Sequence, residues 1–122
     1  MLSSDAIYVQ VFADRIVVSN IDAGLTCTIQ RSPHSASPRM LVGNFTLSEQ
    51  ELKAGVKSVR RGLRAPEILV HPMERIEGGV PQVEERVFLE LGRGAGASRV
   101  AVHTGAPLSG DHVRTAIRAY KR

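Results

Sequence analysis

The alternation of apolar and polar residues is clearest between Ala65 and Thr104, where two short apolar runs flank one amphipathic stretch. The runs Glu67 to His71 and Arg99 to His103 are almost continuously apolar with polar ends, which is typical of strands covered on both faces of a parallel sheet. Apolar residues recur between them at helical spacing: Val80, Val83, Val87 and Leu91. The pattern predicts a strand, a helix and a second strand, joined by a right-handed crossover.

Three further strand patterns precede this unit. Ala6 to Phe12 and Arg15 to Ile21 are rich in β-branched and aromatic residues, and the short connection between them predicts a hairpin. Leu25 to Ile29 alternates apolar residues with threonine after the turn at Asp22 to Gly24. We therefore expect a three-stranded antiparallel meander, followed by an exposed loop over Gln30 to Arg39 that holds two prolines.

Two more helices are predicted outside the central unit. The first begins near Thr46, where a Thr-x-x-Glu capping box starts, and ends before Pro66. Its apolar face comprises Leu52, Val56, Val59 and Leu63. The last helix is predicted to be capped by Ser109 and to end in the basic pair Lys121 and Arg122. Its apolar side comprises Val113, Ala116, Ile117 and Tyr120.

The order of elements is three meander strands, helix, strand, helix, strand, helix. This is the order of the ribonuclease H-like fold, whose mixed five-stranded sheet runs 3-2-1-4-5. We therefore expect an α/β fold of this class with about three helices, in which Ala6 to Phe12 lies at the centre beside Glu67 to His71. Because repeats and linkers are absent from the sequence of 122 residues, a single domain over residues 1–122 is predicted.

Composition bears on the setting more than on the chemistry. The chain is 43% apolar but only 4% aromatic, so the core is expected to be aliphatic. The only cysteine, Cys27, excludes an internal disulfide and favours a reducing compartment, by default the cytoplasm; its alternation within the third strand makes it a core residue. Met1 to Asp5 lacks the pattern of a signal peptide, and no apolar run has the length of a membrane span.

Basic residues outnumber acidic ones, and part of the excess lies along the first predicted helix. The net charge of +4 makes an acidic partner chemically reasonable. Beside the apolar face of that helix, five basic residues form a stripe: Lys53, Lys57, Arg60, Arg61 and Arg64. One interpretation is a surface for an acidic partner. The commoner one is a solvated helix face whose aliphatic stems cover apolar surface.

The places where this fold class holds Mg²⁺ lack the necessary carboxylates. Nucleases and ATPases of the class place carboxylates at the end of the first strand, whereas this chain has the neutral Gln10 there. Asp14 is interpreted as a turn former. Gly92 to Gly96 follows a helix and precedes a strand, the reverse of a phosphate loop. Glu77 to Gly79 does lie between strand and helix, but its carboxylate would repel a phosphate.

Two histidines are the remaining candidates for chemistry. His71 and His103 occupy equivalent positions at the carboxyl ends of strands predicted to be neighbours, where open α/β sheets place ligands. Two imidazoles are able to share a metal ion or a proton. Because no carboxylate or thiol converges with them, two satisfied polar strand ends are the favoured interpretation. We predict no catalytic residue, no cofactor and no metal site, with this histidine pair as the weak metal candidate.

The central unit resembles the MreB family of bacterial actin-like ATPases, which polymerise beneath the membrane and organise cell-wall synthesis. Ala65 to Pro72 is similar to that family's strand with proline before and after it. Val83 to Arg86 resembles its helix start, and Gly94 to Val100 its Gly-Ala-Gly-Ala turn into the next strand. The resemblance covers Met40 to Pro107 and implies the first subdomain of an actin-like ATPase.

Departures from the family pattern fall at its functional positions. Where the family has an Asp-x-Gly-Thr phosphate motif, this chain has Gln10 to Ala13. Where the family has Glu-Glu-Pro with a Glu that positions the hydrolytic water, this chain has Gly105 to Pro107. The second phosphate loop and the adenosine pocket have no counterpart in these residues.

Together these features predict a non-catalytic, MreB-like module that acts through a protein partner or self-association. The resemblance implies a bacterial cytoplasmic setting linked to cell shape or envelope assembly. The alternative is a basic nucleic-acid-binding module that uses the stripe from Lys53 to Arg64. The low aromatic content argues against recognition of bases by stacking.

Overall fold

A computed structural model describes residues 4 to 120 of the chain, which form one five-stranded sheet and three helices. Lys121 and Arg122, the predicted end of the last helix, lie outside these residues. In chain order the elements are β1 (Ala6–Val11), β2 (Arg15–Asn20), β3 (Leu25–Gln30), α1 (Phe45–Val59), β4 (Glu67–Pro72), α2 (Gln82–Gly94), β5 (Arg99–Val102) and α3 (Asp111–Ala119). No helix in this part of the chain is long and apolar enough to cross a membrane.

The sheet runs β3-β2-β1-β4-β5, which confirms the predicted strand order. β1 pairs antiparallel with β2 and parallel with β4, and β4 pairs parallel with β5. Five of the six residues of β1 are buried, as expected for a central strand covered on both faces. The fold is therefore α/β with a mixed sheet and one crossover helix between the parallel strands β4 and β5.

Two cores of unequal size lie on the two faces of the sheet. The larger core lies between the sheet and the helices α1 and α2. The smaller one lies under α3, where Val113 and Ile117 pack against Tyr8, Leu69 and Ala101. Because α3 packs on β1, β4 and β5, the outer face of β3 is left to solvent. The predicted inward alternation of β3 is confirmed, and Cys27 packs against the larger core.

Two glycines allow the helices to approach the sheet closely. A Cβ atom at Gly55 of α1 would lie 2.6 Å from a methyl group of Val18, and one at Gly92 of α2 would lie 2.6 Å from a methyl group of Val100. Real Cβ atoms do not tolerate such distances. The glycine-rich segment at the end of α2 is therefore partly a packing feature, and its remaining residues form the predicted helix end at Ala95.

The end of α1 differs from the prediction. The helix stops at Val59, and Leu63, predicted to lie on its apolar face, is 80% exposed. The physical reason is a competing acceptor: the Asp5 carboxylate takes the backbone N–H groups of Arg61 and Gly62 at 2.7 and 2.8 Å. Those amides are bound outside the helix, so the chain turns toward β4.

The start of α1 is confirmed to lie near Thr46, but the predicted helix caps and the burial of one residue of α2 were wrong. α1 begins at Phe45, and its cap is Asn44, whose side chain accepts from the amide of Leu47 at 3.0 Å. Val83, predicted to face the core from α2, is 74% exposed because it lies in the first turn, before the buried part of the helix. Ser109 is not the cap of α3, which begins after Gly110 without a side-chain cap.

The loop after β3 is only partly exposed, contrary to the prediction for Gln30 to Arg39. Arg31 and Ser35 are buried. The Arg31 guanidinium donates to Glu51 of α1 at 2.9 Å, to the Phe12 carbonyl at 2.8 Å and to Ser48 at 2.7 Å. A buried ion pair therefore fastens the loop to α1, and its two members are twenty residues apart in the sequence.

Candidate functional site

The carboxyl ends of the parallel strands bring the two predicted histidines together. His71 lies in β4 opposite Gln10 of β1, and His103 follows β5 with its amide bonded to the Val70 carbonyl. The two imidazole rings meet edge to face, with their centroids 4.7 Å apart. The predicted proximity of His71 and His103 is thus confirmed.

His71 is held by a hydrogen bond on each ring nitrogen. Its Nε2 lies 3.1 Å from the Gly105 carbonyl, and its Nδ1 lies 2.6 Å from the Tyr8 hydroxyl. A carbonyl oxygen only accepts, so we assign the proton of the neutral ring to Nε2, and Nδ1 accepts from Tyr8. The Tyr8 oxygen in turn accepts from the Leu108 amide at 3.2 Å. Every polar atom of this chain of contacts is satisfied.

His103 closes the neighbouring loop in a similar way. Its Nε2 lies 3.0 Å from the Ala106 carbonyl, to which it donates. The ring is only half-buried, whereas His71 is 1% exposed. The two histidines and Tyr8 therefore fasten the segment from His103 to Leu108 over the end of the sheet, just before α3.

The electrostatic setting keeps His71 neutral. Burial, with a smaller contribution from the nearby His103, lowers the pKa of His71 below its ordinary value of 6.5, although the bond to the Gly105 carbonyl acts in the opposite direction. A neutral imidazole with both nitrogens occupied has no lone pair left for a metal ion. Residues 4 to 120 contain no group of three His, Cys, Asp or Glu side chains that would hold one.

Other polar groups at this edge are also engaged within the chain. The Gln10 amide points at the sulfur of Met73, 3.8 Å away. Asp14 is exposed in the turn after β1 and pairs with Arg15. The carboxylate of Glu74 accepts from the Ala13 amide at 3.2 Å. Sequence reasoning did not single out Glu74, whose carboxylate stabilises the turn that follows β1.

Tyr8 was missed as well, although the sequence contains a signal for it. A tyrosine in a central strand buries its ring but needs a partner for its hydroxyl. The register pairs Tyr8 with Leu69, two residues before His71, so the side chain reaches along the strand to the imidazole. Its ring lines one end of a shallow groove of about 370 Å³ between the start of α3 and the outer face of β1 and β2.

The predicted basic stripe divides into two parts. Lys53 and Lys57 are exposed on α1, but Arg60 caps the helix, and Arg61 and Arg64 lie in the following loop. The prediction that all five share one helix face is wrong, because α1 ends at Val59. No salt bridge within residues 4 to 120 involves these five side chains. The Arg61 amide binds Asp5, just before the amino end of β1, whereas Lys53 and Lys57 lie further back on α1.

Comparisons with protein-family models and with curated protein sequences find no match to this chain. The sheet topology and the hydrogen-bonded histidine cluster are therefore the main features that bear on function. The basic residues that follow α1 form a separate surface. They lie at the amino ends of the parallel strands, whereas the histidine cluster lies at the carboxyl ends.

Proposed function

We propose that this chain is a non-catalytic module of the ribonuclease H-like, actin-like class that acts through protein contacts, self-association included. One observation carries the proposal: polar side chains at the carboxyl edge of the parallel strands are neutral or committed to the fold. His71 has a partner on each nitrogen, and Glu74 binds a backbone amide. An ATPase or nuclease of this class needs carboxylates there that are free to hold Mg²⁺ or orient water.

The strand order and the resemblance to the MreB family support the class assignment. A mixed sheet in the order 3-2-1-4-5, with α1 and α2 on one face and α3 on the other, is what an actin-like subdomain requires. The proposed setting follows from the same resemblance: a bacterial cytoplasmic assembly linked to cell shape or the envelope.

Calorimetric titration with Mg-ATP tests the non-catalytic part of the proposal. We expect no saturable heat up to millimolar nucleotide, because the first strand offers Gln10 in place of a carboxylate and the turn amide of Ala13 is already bound by Glu74. Thermal unfolding followed by circular dichroism verifies that the sample is folded. Saturation in the micromolar range contradicts the proposal, as does release of phosphate above the buffer rate.

One observation favours nucleic acid as the second candidate partner. Lys53, Lys57, Arg61 and Arg64 are exposed and have no carboxylate partner in the part of the chain described. Binding driven by phosphates weakens steeply with salt. A duplex titrated between 50 and 200 mM salt, with Lys53→Gln/Lys57→Gln compared with Arg86→Gln/Arg118→Gln, tests this candidate. An affinity for the duplex that does not depend on salt, or that falls equally in the two double variants, rejects this candidate.

A further inference from the structure

β3 is an edge strand without the usual protection. Its six residues, Leu-Thr-Cys-Thr-Ile-Gln, carry no charge and no proline. Within residues 4 to 120 it pairs with β2 alone; α1 packs on its inner face, and Thr26, Thr28 and Gln30 are exposed. Natural sheets normally blunt such an edge with lysine, proline or a bulge.

The hydrogen-bonding direction of each residue in β3 follows from its register with β2. The Arg31 amide bonds to the Asp14 carbonyl at 3.0 Å, just beyond the pair Arg15 and Gln30. Antiparallel bonding alternates from there, so Cys27 faces β2 with its backbone, and Thr26 and Thr28 face outward. The register with β2 therefore leaves the N–H and C=O groups of Thr26 and Thr28 directed away from β2, at the edge of the sheet.

The other edge strand of the sheet, β5, is protected from pairing. β5 has only four residues and begins with the exposed Arg99. A short strand with a charged end is a poor template for a second chain. The two edges are therefore unequal, and β3 is the one prepared for pairing.

We propose that β3 pairs antiparallel with β3 of a second copy of this chain, about a two-fold axis through Cys27. The proposal rests on the proposed function, because it identifies the protein partner as another copy and names the contact. Thr26 then lies opposite Thr28 of the second copy, and the two residues exchange both backbone hydrogen bonds. Leu25 lies opposite Ile29 of the second copy on the inner face. Four main-chain hydrogen bonds join the copies into one ten-stranded sheet.

The side-chain alternation of the strand selects this axis. Residues opposite each other in a sheet share a face, so an axis between Cys27 and Thr28 would set an inward residue against an outward one. An axis through Thr28 would place Leu25 opposite Arg31, whose guanidinium is buried against Glu51. An axis through Thr26 would place Ile29 opposite Ala23, which lies in the turn before β3. The axis through Cys27 keeps these pairs within the strand and matches apolar with apolar and threonine with threonine.

The helices on the inner face fit the same arrangement. α1 lies over β2 and β3, so the two copies of α1 would be about two strand spacings apart, or about 10 Å, which is a normal distance between packed helices. α2 contacts α1 on the side of Glu49, and the other side carries the small exposed residues Ala54 and Ser58. By helical spacing Lys53 and Lys57 follow Glu49 along α1, on the side toward α2 and away from the second copy.

Sedimentation equilibrium of the full chain between 1 and 500 µM tests the pairing. We expect a monomer–dimer equilibrium, and Thr26→Lys/Thr28→Lys should weaken it at least tenfold because four lysines would face each other across the axis. Gln82→Lys/Thr115→Lys adds the same charge on α2 and α3 and should leave the equilibrium unchanged. Thr28→Pro removes an outward amide without breaking a bond to β2, and it too should give a monomer.

Cys27 supplies a test of the register. Opposed residues of a non-hydrogen-bonded pair have Cα atoms about 4.5 Å apart, within the range of a disulfide. Diamide should therefore link two wild-type copies, while Cys27→Ser/Thr28→Cys, whose Cα atoms would be about 8 Å apart, should link far more slowly.

A monomer at every concentration overturns the pairing, and so does a dimer that survives the lysine substitutions or that diamide fails to link through Cys27. These outcomes leave the Mg-ATP result untouched. A monomer that does not bind Mg-ATP therefore rejects the β3 pairing alone, whereas micromolar nucleotide binding rejects the proposed function itself.

Discussion

At the scale of single residues, the fold is fastened by two buried polar clusters that serve different loops. Tyr8 and His71 hold the segment before α3, and Arg31 with Glu51 holds the loop before α1. In both clusters each polar atom at the centre has a partner, which is the condition under which buried polar groups avoid a large desolvation penalty.

Substitution of Tyr8 by phenylalanine should lower the free energy of unfolding by about 1 to 3 kcal/mol. The change leaves the ring in place but orphans Nδ1 of His71 and the Leu108 amide. Urea unfolding of the wild type, Tyr8→Phe, His71→Leu and the double variant measures the coupling. Additive losses in the double variant would show that the hydroxyl and the imidazole do not act together.

Substitution of Arg31 by alanine should cost more, about 3 to 5 kcal/mol, because it leaves the carboxylate of Glu51 without its counter-ion in a nearly buried site. Arg93→Ala is the matched control, since Arg93 pairs with Glu90 where both side chains are more than half exposed. That loss should stay below about 1 kcal/mol. Equal losses from the two substitutions would contradict the importance assigned to burial.

At the scale of elements, the strands were predictable and the helix ends were not. Strand existence follows from local alternation, and the strand order follows from the sequence of elements. Helix ends depend on distant groups: α1 stops where Asp5 captures two amides. Leu63 has the right spacing for the apolar face, but the helix has already ended at Val59, and the Asp5 carboxylate that binds the following amides is far away in the sequence.

In the candidate site, too, some contacts were predictable from the sequence and others depend on residues that are far apart in it. Equivalent strand ends were enough to predict that His71 and His103 meet. Tyr8 was missed because its contact with His71 depends on the parallel register of two strands that are far apart in the sequence. The ion pair of Arg31 and Glu51 joins a loop to a helix, and it was missed because no sequence spacing predicts it.

The contact between α1 and the sheet gives an element-scale prediction. Gly55→Ala should cost about 1 to 3 kcal/mol through overpacking against Val18, and the gain of about 1 kcal/mol in helix propensity should leave a net destabilisation of up to about 2 kcal/mol. The double variant Gly55→Ala/Val18→Ala removes the clashing methyl groups. Thermal unfolding then compares the stability lost through Gly55→Ala in the wild type with the stability lost through Gly55→Ala in Val18→Ala. If the two losses are equal, the close approach to Val18 is not the cause.

At the scale of the whole molecule, the two edge strands of the sheet, β5 and β3, differ in how well they are protected from pairing with another chain. The segment from His103 to Leu108 covers the carboxyl ends of the parallel strands, and β5 is short and begins with the charged Arg99. β3 has free outward backbone groups and an uncharged sequence. The proposed pairing through β3 therefore uses the strand at which the fold leaves the sheet open.

Two titrating groups should give the molecule a stepwise loss of stability in acid. The pKa of His71 is lowered from 6.5, so the unfolded chain binds more protons there; the stabilisation is complete above pH 6.5 and is lost as pH falls through the folded value. For Asp5, burial raises the pKa, but the amides of Gly62 and Arg61, the Asn20 side chain and the Arg60 charge outweigh it. Its contribution is therefore complete above pH 3.8 and is lost below the folded pKa.

Urea unfolding between pH 8 and pH 3 separates the two steps. His71→Asn should flatten the upper step, and Asp5→Asn should remove the lower one and reduce stability at pH 7 because the amide binds the two backbone N–H groups less strongly. His34→Asn, which removes an exposed imidazole from the loop before α1, controls for the loss of a histidine. An upper step that persists in His71→Asn would assign the titration to another group and would contradict the neutral imidazole assigned to His71, with a hydrogen bond on each ring nitrogen.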